Sequence, residues 1–173
     1  MGVFVLLGSG FALVQAQGSR IGFVDSQEIL YQTNEGRTGL ERLERYMMQK
    51  RQEFEAKNLE LNQLQQDYQV RRGTLNPDAL AEMERSLEMK QIELRRLQED
   101  IQDDLRDRQE RLLQDISQKV QRVIEEYAQQ AAYDVIFMRD ETQAWVSPSL
   151  DVTQEIIRLF NERHPGQGGS VAP

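Results

Sequence analysis

A reaction centre in this chain would have to be built from histidine, cysteine or paired carboxylates, and the sequence spaces none of them for chemistry. It holds no cysteine and one histidine, His164. The lack of thiols excludes disulfides, thiol nucleophiles and thiolate metal sites. A single imidazole near the end of the chain has no orienting partner for a Ser/His/Asp or Cys/His relay. The acidic pairs Asp103-Asp104 and Glu125-Glu126 occupy adjacent positions on helical patterns, so their carboxylates point apart and cannot converge on a metal or a proton. The glycine cluster Gly166-Gln167-Gly168-Gly169 follows the last helical pattern instead of joining a strand to a helix, so neither a phosphate loop nor ATP use is indicated. Arg71-Arg72 is the one conspicuous basic spot. It reads as charge complementing a helix C-terminus, with an anion or lipid site as the alternative. No catalytic residue, cofactor or metal is expected, and an enzyme is the least favoured class.

Binding is then the remaining chemistry, and the composition limits its kind. Of 173 residues, 29% are charged and 39% hydrophobic, with a formal net charge of -8. The sequence pI is about 4.8 and the mean hydropathy is -0.66. The charge has the wrong sign for phosphate backbones, which excludes nucleic acid as the expected partner. So polar a chain does not fill one compact core, but its apolar residues suffice if they lie in stripes, since a helical pair needs only a narrow seam.

The stripes are present. From Leu40 the sequence runs Leu43, Met47, Lys50, Phe54, Lys57, Leu61, Leu64, Tyr68 and Arg71 in alternating steps of three and four, a heptad pattern. A capping box at Thr38-Gly39-Leu40-Glu41 is the expected start of this helix. Arg72 to Leu75 stops it, and Asn76-Pro77 starts another, with Asn as N-cap and Pro where a missing amide costs nothing. The returning helix carries Leu80, Met83, Leu87, Lys90, Leu94, Leu97 and Ile101, then shifts by four to Leu105 and continues through Leu112, Ile116 and Val123. Such a shift is a stutter, which relaxes a supercoil. A connection this short makes the two helices antiparallel neighbours.

Toward the tip the seam is narrow and broken by Lys50, Lys57, Arg71 and Lys90; at the base Leu112, Leu113, Ile116, Val120, Val123, Ile124 and Tyr127 form a broad apolar face. The base is therefore expected to pack into a body and the arm to stand free. Strands are expected near 21–24, 133–138 and 142–146, the last two as a hairpin beside the first, and Asp25 to Glu28 has capping-box spacing for a short helix. Asp151-Val152-Thr153-Gln154 caps a terminal helix over 151–162, and the glycine-rich tail 164–173 is expected to be disordered. The body thus comprises 20–38 and 112–161, and the arm 39–111 with its tip at 73–77. So small a body is marginal alone. Self-assembly is the expected remedy, through Ile21, Phe23, Val24, Val120, Ile124, Val135, Ile136, Phe137 and Trp145.

Several apolar residues on the arm fall outside the seam: Tyr46, Met48, Leu59 and Val70 on the outgoing helix, Met89 and Ile92 on the returning one. Leu59 and Ile92 are expected to face away from the partner helix. Scattered exposed apolar residues are ordinary, but adaptable Met and Tyr contacts also suit a promiscuous binder, and these six are the candidate contact residues. At the N-terminus, the apolar run Val3 to Val14 is too short to span a bilayer and ends in Val14-Gln15-Ala16, so residues 1–16 read as a secretory signal cleaved after Ala16. No Lys or Arg precedes the run, which points to a signal whose start lies upstream; the alternative is a buried strand.

Taken in order, Ile21-Gly22-Phe23-Val24-Asp25, the helical hairpin, Tyr133-Asp134-Val135-Ile136-Phe137 and Leu150-Asp151-Val152-Thr153-Gln154-Glu155-Ile156-Ile157 resemble the Skp/OmpH family of periplasmic chaperones over roughly Arg20 to Asn161. The resemblance implies a mainly α fold with a small β body, assembled as a jellyfish-like homotrimer whose coiled-coil hairpins are tentacles around a cavity. It implies a periplasmic holdase that keeps unfolded outer-membrane proteins from aggregating without ATP. Familiar members are basic, with positive arms; the acidity of this chain argues against lipopolysaccharide or a membrane surface as a partner. The competing reading is an envelope coiled-coil spacer or adaptor with one defined partner, which would form a single stoichiometric complex and ignore unfolded barrels.

Overall fold

The computed structural model describes residues 18–139, 143 and 145–166. The expected signal with its cleavage after Ala16, residues 140–142 and 144, which include Thr142 and Ala144 of the expected strand 142–146, and the tail beyond 166 lie outside them. Six elements follow in order: β1 (Ile21–Asp25), α1 (Ser26–Gln32), α2 (Asn34–Arg71), α3 (Pro77–Gln130), β2 (Val135–Arg139) and α4 (Thr153–Arg163).

The long helices owe their ends to the residues that satisfy their free amides. Thr33 Oγ1 accepts from the Gly36 amide at 3.2 Å, so α2 begins before the expected capping box. Thr38 lies inside the helix and donates instead to the Asn34 carbonyl at 2.8 Å. Two glycines make the earlier start feasible. A Cβ on Gly36 would stand 1.9 Å from the Leu30 carbonyl oxygen, and one on Gly39 would stand 2.3 Å from Leu112 Cδ1. They act as points of close approach, where the sequence alone made them look like breakers. At the tip the Asn76 side chain accepts from the Ala79 amide at 2.8 Å and Pro77 opens α3, as the sequence indicates. At 54 residues, α3 is about 80 Å long.

β1 and β2 pair in parallel, with Ile21 opposite Val135, Phe23 opposite Phe137 and Asp25 opposite Arg139. Parallel neighbours need a long crossover, and here the crossover is the entire helical hairpin. The hairpin expected from 133–138 and 142–146 is not formed by the described residues: Gln143, Trp145 and Val146 belong to no strand. The place beside β1 goes to the chain at 150–152. Phe23 donates to the Leu150 carbonyl at 2.8 Å, and Val152 donates to the Phe23 carbonyl at 2.9 Å. Pro148 has no amide to give a ladder, and the sheet contact forms just after it.

The core sits at this end of the molecule. Val24, Ile29, Val123, Ile156 and Phe160 are almost fully buried, with Ile116, Val120, Val152 and Ile157 around them. The Thr153 hydroxyl accepts from the Asp25 amide at 2.9 Å and ties β1 to the start of α4. His164, expected to open the tail, packs its ring at a tilt against Phe160, with ring centroids 4.8 Å apart, and ends α4.

Candidate functional site

Two surfaces concentrate the features that could engage another molecule: the flanks of the arm and the outer face of the sheet. The arm beyond the Gly39–Leu112 contact is held more by polar ties than by apolar packing. Leu61 is its one buried apolar residue; Phe54, Leu64, Leu87, Leu94, Leu97, Ile101 and Leu105 are half-buried. Lys57 bridges to Glu93, Lys90 Nζ lies 2.7 Å from Glu60 Oε2, and Tyr68 donates to Glu84 Oε1 at 2.7 Å. Partner numbers fall on α3 as they rise on α2, the register of an antiparallel pair. Lys57 and Lys90 occupy seam positions, and their partners reach in from the flanks.

These ties leave an electrostatic signature. The Lys57 ammonium holds the Glu93 carboxyl below its ordinary range, and Lys90 does the same to Glu60. Hydrogen bonding to Glu84 pushes the Tyr68 phenol up. At the base of the arm, Lys119 Nζ lies 2.8 Å from Glu35 Oε2 and 2.9 Å from Asp115 Oδ2. Burial opposes its charge, but the hydrogen bonds to Asp115 and Glu35 outweigh that and raise it above the usual lysine range.

The six candidate contact residues separate into two groups. Met48, Leu59, Val70 and Met89 are exposed, from 54% for Met48 to 79% for Val70. Tyr46 is not free: its hydroxyl donates to Asp104 Oδ2 at 2.6 Å, and the Arg108 guanidinium lies 4.0 Å over its ring. It fastens α2 to α3. Ile92, expected to face directly away, is half-buried and shares a groove of about 1240 Å³ with Met89, Lys57 and Glu93. Met48 lines a second groove, of about 480 Å³, with Met47, Phe54, Ile101 and Leu105; Met47, expected in the seam, is half exposed.

A third groove, of about 990 Å³ and nearer the tip, was not anticipated from the sequence. Leu59, Val70 and Leu87 line it together with the carboxamides of Asn62, Gln65, Gln66 and Gln69. Single glutamines on a helix read as ordinary surface. Only their clustering on α2 between two off-seam apolar residues could have marked them.

On the body, strand alternation sends Val24 and Ile136 to the core and leaves Ile21, Phe23, Val135 and Phe137 on the outer face. Phe23 and Phe137 stack at 5.5 Å between centroids, and Ile21, Val135 and Phe137 are 37%, 42% and 48% exposed. Trp145 is 76% exposed. Val24 and Val120, expected to join copies, are instead spent inside one chain at 0% and 3% exposure. Ile124 and Ile136 pack against that same core. Leu113, Met138 and Leu150, which the sequence reading passed over for this role, are exposed nearby. Beyond β1, the far edge of β2 pairs with no described residue.

Among the described residues no cluster of three or more acidic or histidine side chains could hold a metal, and no helix is long and apolar enough to cross a membrane.

Comparison with known proteins gives two findings. Residues 20–160 match the family model described as outer membrane protein (OmpH-like). Among solved structures, the chain resembles one described as an OmpH-like outer membrane chaperone, from Caulobacter crescentus CB15, with a TM-score of 0.77 at 18% identity, covering 93% of this chain and 92% of that one. At that identity the likeness speaks to the fold. No curated protein matches the sequence.

Proposed function

This chain belongs to the OmpH-like outer membrane protein family, and on that premise we propose that it is an ATP-independent periplasmic holdase for unfolded outer-membrane proteins. The observation that carries the reading is the contrast between the two ends of the molecule. The body buries a real core, while the arm spends its length on exposed Met48, Leu59, Val70 and Met89 and on grooves open to solvent. A spacer rod would gain stability by burying those residues in its seam. Presented outward on a polar scaffold, they offer weak, adaptable contacts to a chain that has no fixed shape. Its family also favours a role without catalysis.

The working form we propose is a homotrimer whose coiled-coil arms surround the client. Each body supplies an apolar sheet face centred on Phe23 and Phe137, and a sheet with two described strands, whose far edge meets no described residue, is marginal until something covers it. Ile21, Val135, Phe137 and Trp145 are the residues available to a second copy.

Light scattering tests the function. A urea-denatured outer-membrane β-barrel diluted into buffer should stay soluble with the purified chain present and nucleotide absent. Unabated aggregation at several-fold molar excess of the chain would rule the holdase out. A tight complex with one native envelope protein would then favour an adaptor.

A further inference from the structure

The groove lined by Leu59, Val70 and Leu87 differs from the other two on the arm in having no charged lining residue. In a chain that is 29% charged, no lining residue of this groove is Asp, Glu, Lys or Arg. The larger groove on the same arm includes Glu53, Lys57, Arg85, Lys90, Glu93 and Arg96. Charges placed against an arriving apolar chain must lose water, and the tip-side groove avoids that cost.

In place of charge it offers carboxamides. Each Asn or Gln presents both a donor and an acceptor, the pair that a peptide group presents. Some such groups are engaged within the chain: Gln32 donates to Glu28 at 2.7 Å and Gln121 donates to Glu125 at 3.0 Å. The side chains of Asn62, Gln65, Gln66 and Gln69 make no hydrogen bond to any described residue. The Tyr68 hydroxyl is committed to Glu84, leaving the four carboxamides as the groove's free polar groups. Leu59 and Val70 mark its apolar ends, 58% and 79% exposed. They lie about eleven residues apart on α2, close to three turns, so they share a face about 16 Å long, which an extended chain covers with about five residues.

We propose that this groove is a backbone-reading site: it takes a short, extended, uncharged stretch of unfolded polypeptide, pairing peptide groups with the four carboxamides and apolar side chains with Leu59, Val70 and Leu87. The proposal rests on the holdase reading above and adds where and how the client is held. Charge complementarity selects the occupant, since a neutral groove accepts a neutral segment without stranding an ion. Because every residue carries a peptide group, recognition is independent of client sequence. Strands of outer-membrane barrels, which alternate apolar with polar side chains over about ten residues, contain many such stretches.

The test uses the full chain and a urea-denatured, fluorescently labelled outer-membrane barrel. The double variant Gln66→Glu, Gln69→Glu keeps side-chain shape but places two carboxylates in the groove; Gln109→Glu, on an exposed part of α3 outside the three grooves, is the control. The double variant should bind the barrel at least fivefold more weakly with helicity unchanged, and the control should bind as the parent does. Affinity of the parent should change less than threefold between 50 and 500 mM salt, since no ion pair is made. Parent-like binding by the double variant, or a steep loss with salt, would overturn the groove while leaving a binding-competent holdase in place. Failure of the parent itself to bind would overturn the holdase reading and this inference with it.

Discussion

Tyr46 donates its hydroxyl to Asp104 Oδ2 at 2.6 Å across the arm, under the guanidinium of Arg108. Hydrogen bonding to Asp104 pushes the phenol above its ordinary range. The bond joins α2 to α3 within the four-residue shift from Ile101 to Leu105. A residue that looks like an exposed contact is thus part of the arm's own fastening.

Tyr46→Phe should consequently loosen the arm locally, by about 0.5–1 kcal/mol. Hydrogen exchange should speed up around 43–50 and 101–108 and stay unchanged in the body. Equal exchange in both proteins would mean the bond does not hold the helices.

Gly36 and Gly39 should respond differently to the same change. At Gly36 a methyl group meets the Leu30 backbone carbonyl, which cannot step aside, so Gly36→Ala should cost at least about 2 kcal/mol. At Gly39 it meets the end of the flexible Leu112 side chain, and the helix propensity gained by Ala offsets part of the clash, so Gly39→Ala should fall within about 1 kcal/mol of the parent. Urea unfolding checks both, and a reversed order would contradict the close approach described.

Acid should slacken the arm. Glu60 and Glu93 sit below the ordinary carboxylate range, held there by Lys90 and Lys57. A depressed carboxyl stabilises the fold above about pH 4.3, its unfolded value, and that contribution disappears as pH falls through the lower folded value. Lys57 is raised by Glu93, so its contribution is present below the ordinary lysine range and lost as pH climbs past it. The chain has no cysteine, so Gln52→Cys with Glu99→Cys places two spin labels across the arm. Their distance distribution should be narrow near neutral pH and broaden at pH 3. A distribution independent of pH would remove the ion pairs as fasteners.

Phe160 is fully buried among Ile29, Val123 and Ile156. Phe160→Ala should cost about 3–5 kcal/mol, seen as a lower urea midpoint and easier proteolysis after Arg163. A loss under about 1 kcal/mol would mean that α4 is not integral to the body.

What the sequence made legible follows from the range of the forces involved. Heptad spacing, the Asn76-Pro77 restart and the short tip are local, and they mark α2, α3 and their turn directly. The start of α2 was misplaced because Thr38-Gly39 has the form of a cap, whereas the glycines serve contacts with Leu30 and Leu112 that lie across the fold. The contact of β1 with 150–152 was not legible for a similar reason: β propensity favours Trp145-Val146, but the hydrogen bonds of Phe23 go to Leu150 and Val152. Off-seam apolar residues were recognisable by spacing alone. Whether Tyr46 was free or tied, and whether Val24 and Val120 met a partner or their own core, depended on long-range packing that no local pattern encodes.

Native mass measurement of the purified chain, alone and with a urea-denatured outer-membrane barrel, tests the central claim most directly. The account predicts a discrete assembly of three copies that takes up one barrel with nucleotide absent. A folded monomer that leaves the barrel to aggregate would contradict it.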